Sequence, residues 1–142
     1  MLQKISLIIV TERFTHGAKS LKWSAYSTLQ VDSQMEIMET IRDQVENNAV
    51  LLYMKGSPNQ PQCGFSARTV QSLMDCGHRF AYVDILSNPE IRANLPAFAN
   101  WPTFPQLWVS GELIGGCDIV TEMHEKGELK QLIDDSLTDT SS

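Results

Sequence analysis

Five consecutive apolar residues, Val50-Leu51-Leu52-Tyr53-Met54, stand between an Asn47-Asn48 stop and the polar stretch Gly56-Ser57-Pro58-Asn59-Gln60-Pro61. A run this short, with no polar alternation, is the signature of a strand buried on both faces. It requires a sheet covered by a layer on each side. The flanking pattern supplies the layers. Ile37, Ile41 and Val45 fall on one helical face before the strand. A second helix is expected from about Cys63, with Ala67, Val70, Leu73 and Met74 inward and Gly77 as its stop. Residues 80–85 read as the next strand. Two strands joined through a helix form a parallel pair, because that connection needs a crossover.

The second half of the chain changes character. Ser87-Asn88-Pro89-Glu90 offers a cap followed by proline at the first helical position, opening a helix to about residue 98. Trp101-Pro102-Thr103-Phe104-Pro105 is extended, since each proline biases its predecessor away from helix. Strands at 106–109 and 112–114 are joined by a tight Ser110-Gly111 turn. Gly115-Gly116 breaks the chain, Asp118 caps a helix to residue 125, and a last helix covers 128–137. The order is α-β-α-β-α-β-β-α-α, a small three-layer α/β domain with a mixed sheet and no internal repeat. The polar tail, 138–142, is expected to fray.

At 142 residues the chain has one domain's length, and 42% apolar content is enough for a core. No stretch reaches the roughly 20 apolar residues that span a bilayer. The early run Leu7-Ile8-Ile9-Val10 is cut by Glu12 and Arg13, too short for a secretory signal, so a cytoplasmic, membrane-free protein is expected. Residues 35–142 hold 7 of the 11 Lys/Arg and 15 of the 17 Asp/Glu, a net charge of −8. Such a domain repels phosphate backbones, which argues against nucleic acid as a partner. Three cysteines, Cys63, Cys76 and Cys117, do not make a disulfide scaffold.

Cys63 carries the chemistry. It follows a strand and a loop and stands where a helix begins, where free N–H groups and the helix dipole stabilise a thiolate. Lys55 adds a nearby positive charge, and Gly64 leaves the sulfur uncovered. The residue three positions on is Ser66, so no internal Cys-x-x-Cys disulfide can form, and any redox cycle must borrow a second thiol. Pro105 is a candidate cis peptide, with an ordinary trans turn as the other reading. In the cis form the Phe104 backbone is free to pair with an extended peptide. Gly115-Gly116-Cys117-Asp118 suits the α-amino-acid end of a ligand, and equally suits a glycine turn with an Asp cap. Arg92 can pair with a second carboxylate, or lie solvated on its helix. Taken together, Lys55 and Arg92, the Phe104 backbone, the Cys117 backbone and Asp118 match a tripeptide with two carboxylates, one amine and one thiol, as in glutathione. Cys76 reads as a packing residue. His16, His78 and His124 show no ligand spacing.

Lys55-Gly56-Ser57-Pro58, Cys63-Gly64-Phe65-Ser66, Trp101-Pro102-Thr103-Phe104-Pro105-Gln106 and Gly115-Gly116-Cys117-Asp118, in this order, resemble the signature of the monothiol glutaredoxins. The likeness runs from about Met35 to Leu137 and is nearest the short, single-domain bacterial members. It implies a thioredoxin fold: a mixed four-stranded sheet flanked by helices, with a cis-proline beside the active cysteine. It implies glutathione held by Lys55, Phe65, Arg92, Phe104, Cys117 and Asp118. It further implies a [2Fe-2S] cluster bridging a homodimer, with Cys63 from each copy and one sulfur from each glutathione. BolA-like proteins and iron–sulfur acceptor proteins are the implied partners. The loop Asn59-Gln60-Pro61-Gln62 matches the extra length that this class carries before its cysteine, and by resemblance goes with weak reductase activity.

Residues 1–34 match nothing in that family. They read as an upstream stretch with Met35 as the true start, as a targeting peptide, or as a disordered extension. Two activities are carried forward for the domain at 35–137: a cluster carrier, and a glutathione-dependent thiol–disulfide oxidoreductase in which a second glutathione or Cys117 resolves the intermediate. A third reading, an interaction module or iron sensor working through a BolA-like partner, is compatible with the first.

Overall fold

A computed structural model describes residues 23–140 of the chain. The elements follow the expected order: α1 (Trp23–Asn47), β1 (Val50–Met54), α2 (Gly64–Asp75), β2 (Ala81–Asp84), α3 (Pro89–Ala99), β3 (Gln106–Val109), β4 (Glu112–Gly115), α4 (Cys117–Glu125) and α5 (Glu128–Thr140). The chain divides into two units at residues 40 and 41, and the second, 41–142, contains the whole sheet.

β1 is buried along its full length, as its unbroken apolar run requires. It pairs in parallel with β2, Leu52 opposite Tyr82, and antiparallel with β3, Tyr53 opposite Gln106. β4 extends β3 across a hairpin, giving the order β2-β1-β3-β4. Ser110 and Gly111 at the hairpin tip both take positive φ, 52° and 79°, which suits the right-handed strand twist.

The alternation of β1 divides its side chains between two cores. Val50, Leu52 and Met54 pack with Val70 and Leu73 of α2, Val120 of α4, and Leu129 and Ile133 of α5. Tyr53 faces the other way, its hydroxyl donating to Gln44 Oε1 of α1 at 2.9 Å. Burial pushes that hydroxyl's pKa well up, so it stays a donor. On β3, Trp108 meets Phe98 of α3, ring centroids 5.8 Å apart. The layers of the second unit are therefore residues 41–47 of α1 with α3, the sheet, and α2, α4 and α5.

Three features differ from the sequence reading. α1 begins at Trp23, well upstream of Met35, although residues 23–34 show no apolar period and no acidic residue in the first turn. A helix nucleated downstream propagates cheaply through such residues. Residues 1–22 lie outside the described part, and so do the readings attached to them. Met74 is exposed, because Ser66, Thr69, Val70, Ser72 and Leu73 form the inward face of α2. α5 runs on to Thr140, past the tail's expected start. Cys76 is buried as expected, its thiol donating to the Ser72 carbonyl at 3.3 Å.

Candidate functional site

The sheet brings four connections to one end. β1 and β2 run parallel and finish there, β3 starts there, and β4 finishes there with Gly115 opposite Leu107. Lys55, Cys63 and Phe65 follow β1, Arg92 follows β2, Phe104 precedes β3, and Cys117 and Asp118 follow β4. Residues scattered over 64 positions of sequence thus reach the carboxyl end of the parallel pair, where α/β sheets place their ligands.

The loop after β1 folds back on itself. Ser57 and Gln60 exchange backbone bonds of 3.3 and 3.1 Å, and Gln62 N–H donates to the Lys55 carbonyl at 2.9 Å. Gly56 takes φ +90°, and a Cβ there would lie 2.5 Å from the Gln60 carbonyl oxygen. Asp84, at the end of β2, pins this turn. Its Oδ1 accepts from the Gly56 and Leu86 N–H groups, both at 2.9 Å, and its Oδ2 from the Ser87 hydroxyl at 2.9 Å. Burial works against ionisation of the Asp84 carboxyl, but these donors outweigh it and hold its pKa below the ordinary value.

The turn delivers Cys63 to the N-cap of α2 in extended conformation, φ −154° and ψ 139°. Its thiol pKa is lowered chiefly by the Ser66 backbone N–H, against the opposing effect of burial. The Phe65 N–H, the Ser66 hydroxyl and the Lys55 charge add to the lowering. Ser66 is fully buried, and its Oγ also accepts from the Lys55 N–H at 3.2 Å. The residue that replaces a second cysteine therefore both stabilises the thiolate and ties α2 to the end of β1.

Because the folded thiol ionises more readily than the unfolded one, the thiolate adds stability above the unfolded pKa. That contribution is lost as pH falls through the folded pKa. Alkylation of Cys63 by iodoacetamide should accordingly reach half its maximal rate at lower pH than a free cysteine. Ser66→Ala should raise that midpoint, yet leave it below the free value, because the Ser66 and Phe65 N–H groups remain. A midpoint unchanged by the substitution would remove the hydroxyl from the account.

Phe65 is exposed in the first turn of α2, two residues after Cys63. Arg92 is exposed in the first turns of α3. Among the described residues neither Lys55 nor Arg92 makes an ion pair, although the domain has an excess of acids. Phe104 is half-buried, and its peptide bond to Pro105 is cis. Among the described residues its backbone N–H and carbonyl have no hydrogen-bond partner. Gly116, not Asp118, is the N-cap of α4. Asp118 lies exposed in the first turn, where its charge complements the helix dipole. Cys117 is buried, its sulfur 3.8 Å from Thr121 Oγ1, a packing position poorly suited to resolving a mixed disulfide.

The chain is 69% identical over 96 residues to "Glutaredoxin 4" of Escherichia coli (strain K12), covering 68% of this chain and 84% of that relative. The chain belongs to the glutaredoxin family. The Glutaredoxin family model matches residues 50–114. Among solved structures, reduced apo GrxS14 of poplar is 41% identical with a TM-score of 0.62, covering 70% of this chain and 92% of that one. A buckwheat glutaredoxin–glutathione complex is 22% identical with a TM-score of 0.65, covering 74% and 94%, a likeness of fold. With Cys63-Gly64-Phe65-Ser66 the chain is a monothiol glutaredoxin, similar to the bacterial glutaredoxin 4 group, and its mixed sheet with helices on both faces is the thioredoxin fold.

Sequence reasoning passed over several residues. Asp84 gives no local signal of its bond to Gly56, 28 residues upstream, although its bonds to Leu86 and Ser87 are local turn contacts. His78 pairs with Asp134 of α5, and His124 with Asp75 of α2 at 3.4 Å. The first pair ties the connection between α2 and β2 to α5, and the second ties α4 to α2. Among the described residues no helix is long and apolar enough to cross a membrane.

Proposed function

We propose that this glutaredoxin binds glutathione and a [2Fe-2S] cluster shared by two copies, and hands the cluster to acceptor proteins. The carrying observation is that one thiol of the three, Cys63, is both partly exposed and placed where ionisation is favoured. Cys63 is stabilised at a helix N-terminus, whereas Cys76 and Cys117 are buried, and burial pushes the Cys76 thiol pKa up. Among the described residues no group of three His, Cys, Asp or Glu side chains could hold a metal ion unaided. A [2Fe-2S] cluster takes four thiolates. Cys63 from two copies and the sulfur of two glutathiones make four.

Glutathione fits the rest of the site. Lys55 and Arg92, unpaired among the described residues, suit one carboxylate, and the Phe104 backbone, without a partner among them, suits the extended middle. The N-terminus of α4, with the Cys117 N–H and Asp118, suits the amino-acid end. Phe65 stands exposed two residues after Cys63. The glutathione complex of the buckwheat relative supports this reading. The cluster is cargo, supplied to cytoplasmic acceptors directly or through a BolA-like partner.

The lowered Cys63 pKa also favours a second activity. The thiolate attacks the glutathione sulfur of a protein mixed disulfide and releases the protein thiolate. A second glutathione thiolate then attacks the Cys63-bound sulfur, giving glutathione disulfide and restoring Cys63.

Anaerobic reconstitution with iron, sulfide and glutathione tests the first reading. A coloured dimer that fails to form without glutathione is expected. A colourless monomer would refute it and leave the thiol–disulfide activity, measured with a glutathionylated peptide.

A further inference from the structure

Gln106 is completely buried at the start of β3, directly after Pro105. A buried amide is tolerated only when its donors and acceptor are all engaged, and here they are. Its Nε2 donates to the carbonyls of Trp101 at 3.0 Å and Thr103 at 3.2 Å. Its Oε1 accepts from the Trp108 indole Nε1 at 3.3 Å. Trp108 is in turn packed on Phe98 of α3. A chain of contacts therefore runs from the core through Gln106 to the segment before Phe104. That segment lies outside every helix and strand, and among the described residues no other side chain donates to its backbone.

The same segment reaches the other half of the site. A Cβ on Gly116 would lie 3.3 Å from the Pro105 carbonyl oxygen and 3.7 Å from the Trp101 indole nitrogen. Residues 101–105 thus sit against the N-cap of α4. Fixing the two carbonyls fixes both the Phe104 backbone and its separation from the α4 N-terminus.

We propose that Gln106 is a positioning residue for glutathione, a buried latch that holds residues 101–105 so that the Phe104 backbone and the α4 N-terminus present one surface to the tripeptide. The proposal rests on the glutathione reading of the site given above. Gln106 touches no ligand. It acts by sparing the ligand the entropy of ordering the segment.

Gln106→Met keeps the side chain's length and removes its donors. Measured by calorimetry well below its unfolding midpoint, this variant should bind glutathione about tenfold more weakly, the scale of a lost pre-organisation effect. The pH midpoint of Cys63 alkylation should stay put, because Asp84 and Gly56 hold that loop separately. Trp108→Phe removes only the N–H that anchors Gln106 Oε1 and should give a smaller loss in the same direction. It also serves as the test if Gln106→Met does not fold. Wild-type affinity in a folded Gln106→Met, or in Trp108→Phe where Gln106→Met does not fold, would overturn the latch and leave the glutathione site standing. An alkylation midpoint that moves with the affinity would also overturn it, by showing general loosening. If the wild-type protein binds no glutathione, the site reading falls and the latch with it.

Discussion

A Cys63→Ser chain should give no coloured product on anaerobic reconstitution, and its turnover of glutathionylated peptide should fall to background, a loss on the order of a thousandfold or more. The serine hydroxyl does not ionise near neutrality, so the helix N-terminus that stabilises a thiolate has nothing to stabilise. On the proposed reading, nucleophile and ligand vanish together. The other two cysteines supply the contrast. Cys76 is buried with its thiol on the Ser72 carbonyl, and a hydroxyl can make the same bond. Cys76→Ser should therefore cost about 1 kcal/mol of stability, the usual scale for a small polar change in a core, and keep the cluster. Cys117→Ser should behave alike, since the proposed site uses only its backbone and its side chain is buried. Absorbance spectra and solution mass of the three variants decide the matter. Colour retained in Cys63→Ser would end the assignment of Cys63 as ligand. Colour lost in Cys117→Ser would make its sulfur more than packing.

That contrast was legible in the sequence only in part. The unbroken run at β1 announces a doubly covered strand because burial on both faces leaves no polar position. Gly77, Asn88 with Pro89, and Ser110-Gly111 announce element ends because they act on local backbone geometry. Cys63 followed by Gly64 and Ser66 is likewise a local pattern. What escaped is long-range. Asp84 holds Gly56 across 28 residues, and His78 meets Asp134 across 56. Nothing in either residue's neighbourhood reports such a partner. Gln106 lies inside a recognisable motif, yet its threefold bonding appears only once Trp101, Thr103 and Trp108 converge on it. Met74 shows the reverse failure. Apolar spacing on α2 placed it inward, but small buried polar residues, Ser66, Thr69 and Ser72, form that face, their hydroxyls satisfied within the helix or by Lys55 N–H.

Three glycine-to-alanine substitutions should separate the forces that shape the chain before, at the start of and after α2, and the largest effect belongs to Gly56. Gly64 follows Cys63 at the first position of α2, with nothing within 4 Å of an added Cβ. Gly64→Ala should be neutral or stabilising by about 0.5 kcal/mol, because alanine loses less backbone entropy on folding. Gly77 takes φ +79° in open space, so Gly77→Ala bears the conformational cost alone, about 1 kcal/mol. Gly56 combines φ +90° with a Cβ 2.5 Å from the Gln60 carbonyl oxygen and 2.9 Å from the Gln62 nitrogen. Both obstacles are backbone, and the loop that carries them is fastened by Asp84 and by the Gln62 to Lys55 bond. Gly56→Ala should cost about 3 kcal/mol or more, seen as a fall in the unfolding midpoint of roughly 10 °C or more. The Cys63 alkylation midpoint should rise as well, since a loop forced open moves the sulfur away from the Ser66 N–H. Equal midpoints for Gly56→Ala and Gly77→Ala would mean that the loop yields to the methyl group. In that case the fixed geometry ascribed to residues 55–62 would not be what holds Cys63 at the helix start.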